Sequence, residues 1–278
     1  MGATRQMSDD QIFATLRRAG RIWAIASIHG EAEKLSVLHR LIAERFLDGD
    51  RLVYLGNIIG RGPAVRATVD EILDFRRAVL ARPGMFACDI AYLRGAQEEM
   101  WQKLLQLQMA TNPAEVLNWM LEQGIEATLT AYGGTARLGL EAARQGPLGI
   151  TRWTNGLRAV MRQSLGHDAL FAALRRAAFT ESGGSTHDGA LLFVNAGIDP
   201  TRPLSAQTDS FWWGMAGFSK LAEPYAGFRM VVRGFDPEHR GIFASSVTTG
   251  IDAGCGFGGP LVSACFDTEG RIVDAVEA

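Results

Sequence analysis

Three times within the first hundred residues a short apolar run leads into a glycine-containing loop and then into a segment with apolar residues at helical spacing. Arg21 to Ala26 (RIWAIA) runs through Ser27-Ile28-His29-Gly30 into Glu33 to Phe46. Arg51 to Leu55 (RLVYL) runs through Gly56 to Pro63 into Val65 to Leu80, which stops before Pro83-Gly84, and Met85 to Leu93 ends in Arg94-Gly95-Ala96-Gln97-Glu98. Strand, loop and helix repeated in this way predict a largely parallel sheet, and ligands of such sheets bind where loops leave the carboxyl ends of the strands. The three loops are therefore expected to converge.

Beyond this core the texture changes. From about Trp101 to Ala178 the chain carries helical segments, Ala114 to Glu122, Thr135 to Arg144, Leu157 to Leu165 and Ala169 to Ala178, separated by turns containing Gly or Pro. This predicts a helical cap inserted over about residues 99–188. After the Gly183-Gly184-Ser185 turn the chain becomes strand-rich: Ala190 to Asn195, Arg229 to Arg233, Ile242 to Val247, Leu261 to Phe266 and Arg271 to Val276 are expected to supply a second sheet. At the other end, Ser8-Asp9-Asp10-Gln11 has the form of a capping box, so a short N-terminal helix is expected after it. With 278 residues, 47% of them hydrophobic, the chain can bury a sizeable core, and one domain spanning 1–278 with an insertion suits that length.

Charge and composition exclude several classes. Lys and Arg number 28 against 30 Asp and Glu, a net charge of −2, so no basic field supports a nucleic-acid partner. No apolar run approaches the roughly 18 residues of a membrane span, and the start MGATRQMSDDQ is too polar for a secretory signal, which makes the cytoplasm the expected compartment. Met1-Gly2-Ala3-Thr4-Arg5-Gln6 lacks the Ser or Thr of a myristoylation pattern. Cys88, Cys255 and Cys265 show no CxxC spacing and sit in apolar stretches, as reduced thiols do.

Five loop segments stand in order along the chain: Ala26-Ser27-Ile28-His29-Gly30, Gly56-Asn57-Ile58-Ile59-Gly60-Arg61-Gly62, Gly95-Ala96-Gln97-Glu98, Val194-Asn195-Ala196-Gly197 and Gly234-Phe235-Asp236. With their flanks, among them Val53-Tyr54-Leu55-Gly56, Tyr92-Leu93-Arg94-Gly95, Ala196-Gly197-Ile198-Asp199-Pro200 and Gly250-Ile251-Asp252-Ala253-Gly254, they resemble the calcineurin-like metallophosphoesterases, specifically the bacterial serine/threonine protein phosphatase and diadenosine tetraphosphatase branch, over nearly the whole chain. The resemblance implies a four-layer α/β/β/α sandwich: two mixed sheets face to face, helices outside, and a helical cap. It also implies two metal ions activating a bridging water, held by the family's GDxHG, GDxxDRG, GNH(E/D), VHAG-type and GHT signatures.

The residues that would do this chemistry are mostly replaced. The family's ligand positions fall on Ser27, His29, Asn57, Ala96, Asn195 and Phe235, and only His29 keeps its type. A hydroxyl at Ser27 is a far poorer ligand than a carboxylate, Asn57 lacks the charge that bridges two ions, and the phenyl ring of Phe235 binds none. Gln97 stands where the resemblance implies the histidine that protonates the leaving group, and an amide has no such acid function near neutral pH. Gly60 replaces the acid that supports that histidine, while Arg61, the family's phosphate-contacting arginine, is present. The reading is a pseudophosphatase without catalytic residues, metals or cofactors.

His29, Arg61, Arg94, Arg233, Asn57 and Asn195 remain as candidates for binding a phosphorylated small molecule, a phosphoprotein or another protein partner, because guanidinium groups grip phosphate or carboxylate without a cation. The competing expectation is that each arginine pairs with a local acid such as Glu98, Asp236 or Asp252, or lies solvated. Two other readings stay open: a metal-dependent phosphoesterase acting on phosphoproteins or dinucleoside polyphosphates, with manganese or another divalent ion at a single site rebuilt from His29, Asp236, His239 or Asp252, and a purely structural, partner-binding protein. Three motifs are set aside. Gly254-Cys255-Gly256-Phe257-Gly258-Gly259 matches GxGxxG but precedes a strand. Ser185, His187 and Asp188 cluster only in sequence, and Phe211-Trp212-Trp213-Gly214-Met215 is expected to cover core more than to stack a base.

Overall fold

A computed structural model describes residues 12–181 and 187–278; the Ser8–Gln11 capping box and the turn at 183–185 lie outside the described residues. The repeated units fold as their pattern requires. Strands β2 (Arg21–Ile25), β3 (Arg51–Tyr54) and β4 (Ile90–Tyr92) pair in parallel, crossing over through helices α1 (Ala32–Ala43) and α2 (Val65–Leu80), with α3 (Ala96–Leu104) after β4. A second sheet is built on β6 (Leu191–Val194), β7 (Met230–Arg233) and β9 (Thr248–Gly250), also parallel. Its outer strands are β5 (Ala177–Thr180), antiparallel to β6, and β8 (Phe243–Ala244), antiparallel to β9.

Three expectations are corrected. The short helix expected after Ser8–Gln11 falls mostly outside the described residues, of which Ile12 is helical; residues 13–16 then form strand β1, parallel to β5, and Phe13 and Leu16 are buried. The last two strands, β10 (Val262–Asp267) and β11 (Ile272–Glu277), do not join the second sheet: β10 pairs antiparallel with β2, and β11 with β10. Among the described residues the sheet orders are thus β11-β10-β2-β3-β4 and β1-β5-β6-β7-β9-β8. The stretch 242–247 is not one strand, because Ser245 Oγ accepts the amides of Val247 (3.2 Å) and Thr248 (3.0 Å) and turns the chain between β8 and β9. Finally, the helical segment expected over Ala169 to Ala178 is helix only as far as Ala173, and residues 177–180 are strand β5.

The cap comprises α4 (Pro113–Glu122), α5 (Glu126–Ala131), α6 (Ala136–Arg144), α7 (Pro147–Gln163) and α8 (His167–Ala173). Side chains of Asn112 and Thr135 cap α4 and α6 by accepting the amides of Glu115 and Leu138. A link ties cap to core: Tyr132, which ends α5, meets His167 Nδ1 at 2.8 Å, and His167 Nε2 meets Asp70 of α2 at 3.0 Å. Past α8 the helix cannot continue, because Arg175 bonds to strand backbone, its N–H to Tyr92 O (2.8 Å) and its O from Arg94 N (2.7 Å).

Alternation along the strands assigns the layers. On β2 and β3, Trp23, Ile25, Leu52 and Tyr54 face the helices, whereas Ile22, Ala24 and Val53 face the other sheet. On β6 and β7, Leu191, Phe193 and Val232 meet that same middle layer, and Leu192, Val194 and Val231 face outward under the short helices α9 (Ser210–Trp213) and α10 (Met215–Phe218). Period-two patterning therefore yields three separate apolar cores between four layers. No helix among the described residues is long and apolar enough to cross a membrane.

Candidate active-site cleft

All five loops meet at one place. Ile28 and His29 donate their amides to Asn57 O (3.0 and 2.7 Å), and Ser27 N donates to Gly234 O (2.9 Å). Gly234 and Phe235 donate to Asn195 O (both 2.9 Å), and Asn195 Nδ2 donates to Leu55 O (2.7 Å). The third loop is fixed by Glu98, which accepts from Asn57 N (2.9 Å), Ile59 N (3.1 Å) and Gly95 N (2.7 Å). His29 and Asn57 hold left-handed backbone, φ 54° and 51°, a conformation Asn and His adopt more readily than most residues.

Side chains at the cradle positions bond to one another. Asn57 Nδ2 donates to Ser27 Oγ (3.2 Å), and its Oδ1 accepts Gln97 N (3.1 Å). Gln97 reaches away, giving Nε2 to Gln123 O at the end of α4 (2.9 Å), and its side chain lies across Gly60, where a Cβ would stand 2.8 Å from Gln97 Cδ. That contact explains a glycine where the resemblance implies an acid.

His29 is buried, 2% exposed, and neither ring nitrogen has a hydrogen-bond partner. Burial, assisted by the charges of Arg61 and His239, pushes its pKa down to about 3, so the ring is neutral near pH 7. Phe235 and Phe257 pack edge-on against it with ring centroids 6.1 and 5.4 Å away. Phe257 also meets His239 (4.3 Å) and carries the Arg61 guanidinium over its face (4.5 Å). The glycine loop set aside in the sequence is what brings Phe257 here: a Cβ on Gly256 would lie 2.4 Å from His29 Cβ.

The candidate arginines are not brought together. Arg61 is exposed and has no ion pair with a described residue, and partial burial lowers its pKa from the ordinary value. Arg94 pairs with Glu99 at 3.0 Å. Arg233, 2% exposed, pairs with Asp236 at 2.8 Å and stacks against Phe218 and Phe243. Asp236 also accepts from Arg240 Nε (2.7 Å), and Asp252 accepts from Asp236 N (2.9 Å), Gly254 N (3.0 Å) and His239 Nδ1 (2.9 Å). Burial drives both carboxyls up, but for Asp236 the hydrogen bonds and the two arginines outweigh it and hold the group below the usual range, while Asp252 ends above it.

A binuclear metal centre does not fit this donor set. The buried side-chain atoms left without partners here are the two nitrogens of His29, Gln97 Oε1, Asn195 Oδ1 and Arg233 Nε, none of them anionic. The carboxylates near the cleft are engaged: Glu98 by three amides, Asp236 by two arginines, Asp252 by His239 and two amides. Among the described residues no three His, Cys, Asp or Glu side chains group so as to hold a metal, and His29 stays apart from the His239–Asp252 pair behind the Phe257 ring. Cys255 donates to Ile28 O and is pushed up to about 12 by burial, which leaves it no role as a nucleophile. Of the motifs set aside, Ser185 lies outside the described residues and His187 stacks on Phe228; Phe211 and Trp212 are buried, whereas Trp213 pairs with Trp119 of the cap at 5.7 Å.

Sequence reasoning missed Phe257 and the structural task of Glu98. The second had a signal: a Glu three residues after Gly95 has the spacing of a helix-capping acid, and its carboxylate does accept Gly95 N.

No family model matches the sequence, and no curated protein matches it. Solved structures do match. A crystal structure of a putative diadenosine tetraphosphatase is 18% identical, covers 96% of this chain and 98% of its own, and superimposes with a TM-score of 0.51. A cold-active protein-tyrosine phosphatase of a psychrophilic Shewanella (12% identity, 97% and 84% coverage, TM-score 0.47) and a metallophosphoesterase from Sphaerobacter thermophilus (13%, 94% and 88%, 0.43) superimpose less well and add no weight. With two mixed sheets face to face, helices outside and a helical cap, the chain has the metallophosphoesterase fold.

Proposed function

We propose that this chain is a pseudophosphatase: a phosphatase fold whose cleft receives a phosphorylated group on Arg61 without metals and without hydrolysing it. What supports this is the donor set, since the positions from which metals would be held are tied to one another, Ser27 to Asn57 and Asn57 to Gln97, or filled by the ring of Phe235. Neutral amides cannot offset the charge of two divalent ions in a partly dehydrated pocket. Nor can the Gln97 amide protonate a leaving group. Arg61 retains what anion binding needs: a guanidinium with no ion pair among the described residues, held in place by stacking on Phe257 beside a cavity of about 470 Å³ lined by Leu121, Gly124, Glu126 and Thr130 of the cap.

The test measures metal and turnover together. Protein grown and dialysed with excess Mn²⁺ is expected to carry well under one ion per chain by elemental analysis and to leave p-nitrophenyl phosphate intact. A phosphopeptide is expected to raise the melting temperature, and Arg61→Ala to weaken its binding about tenfold, or ~1.4 kcal/mol. Two manganese ions per chain with turnover would refute the reading, and phosphopeptide binding unchanged by Arg61→Ala would remove its site.

A further inference from the structure

A second cavity, of about 430 Å³, opens where the edge strands of the two sheets, β4 and β1, come together. Its lining holds three guanidiniums from separate parts of the chain: Arg17 after β1, Arg76 on α2 and Arg175 before β5. None of the three has an ion pair with a described residue. Arg175 donates only to backbone, to the carbonyls of Ala173 (2.8 Å) and Leu174 (3.2 Å).

Acids are near but engaged. On α2, Asp70 bonds His167, Glu71 bonds His39, and Asp74 pairs with Arg77. Asp89 bonds Arg51 (3.0 Å) and the amide of Phe86 (2.8 Å).

An independent observation points to a ligand. Tyr92 lines the cavity, is 5% exposed, and its hydroxyl has no hydrogen-bond partner. Arg76 sits beside that hydroxyl, close enough to interact with it, and both groups can donate to one acceptor. A buried phenol beside three cations is an arrangement that an incoming anion would complete. Apart from Thr15, the remaining lining, including Phe13 and Ile90, is largely apolar and suits a short hydrocarbon body more than a bare ion.

We propose that this cavity binds a small organic anion, its phosphate or carboxylate head held by Arg17, Arg76, Arg175 and the Tyr92 hydroxyl and its apolar body lying along Phe13 and Ile90. The site is separate from Arg61 and does not depend on the pseudophosphatase reading.

Cys88 gives a local readout, because it lines the same cavity and is exposed, whereas Cys255 and Cys265 are buried with thiols pushed up to about 12. The rate of maleimide labelling at Cys88, located by mass spectrometry, is measured with phenyl phosphate and with hexanoate up to 10 mM. The head group preferred is the one that protects, and protection of at least fivefold is expected. Arg17→Ala and Arg76→Ala should each raise the ligand concentration needed for half-maximal protection about tenfold and Tyr92→Phe severalfold, while Arg61→Ala leaves it unchanged. No protection by either compound overturns the proposal, as does protection that survives both arginine substitutions or is lost with Arg61→Ala. Arg17 is exposed, so its removal leaves the fold in place for the comparison.

Discussion

The loops after β2, β3 and β4 and the loop after β7 stand at the carboxyl ends of their strands, yet they treat charge in opposite ways. In the first group Ser27, Asn57 and Gln97 are neutral, and the buried carboxylate of Glu98 is turned onto three backbone amides. Beyond β7 charge is abundant: Arg233, Asp236, Arg240, His239 and Asp252 form a continuous knot. The difference teaches that the buried carboxylates here sit where the protein itself supplies the counter-charge or the N–H groups.

Three measurements can break or sharpen that contrast. The largest effect is expected in the knot. Asp236→Ala leaves Arg233 buried without its partner and should cost about 3–5 kcal/mol in chemical denaturation; a loss under ~1 kcal/mol would mean the knot is no more tightly coupled than a surface pair. Next comes Glu98→Gln. Both oxygens of Glu98 accept amides, so the new NH₂ must face a donor, and about 1.5–3 kcal/mol should be lost. Unchanged stability would show that the second loop does not need an acid behind it.

The smallest effect is a pH dependence. His29 folds with its pKa lowered to about 3, below its unfolded value of 6.5, so the unfolded chain takes up a proton that the folded chain refuses, and stability falls as pH drops below 6.5. Between pH 6.5 and 5.5 this contributes a loss of about 1 kcal/mol. His29→Asn, which tolerates the left-handed backbone but does not titrate, should show a shallower loss by that amount in parallel urea titrations. Equal slopes would place His29 in contact with solvent.

Much of the frame was legible in the sequence because strand, loop and helix are local patterns. Parallel β2, β3 and β4 with their crossovers follow from apolar runs and loop glycines alone. What was not legible is partnership at a distance. Nothing in Leu261 to Phe266 says that it will pair with β2 rather than β7, and Phe13–Leu16 becomes a strand only because β5 is there to pair with it. The site divides similarly. The residue types at Ser27, Asn57, Ala96, Asn195 and Phe235 could be read directly, whereas the pairing of Arg94 with Glu99 and the arrival of Phe257 beside His29 depend on backbone geometry that residue types do not carry.

Arg175 deserves a last consequence. Its amide and carbonyl are shared with Tyr92 and Arg94, so one residue of the second sheet's lead-in strand is stitched to the edge of the first. Two facing sheets held only by side-chain packing can shear past one another; a seam along one margin forbids that slide and leaves at most a book-like opening away from it. Loops borne on opposite sheets therefore stay in register with each other, and a cleft assembled from both halves keeps its shape without any ion to clamp it.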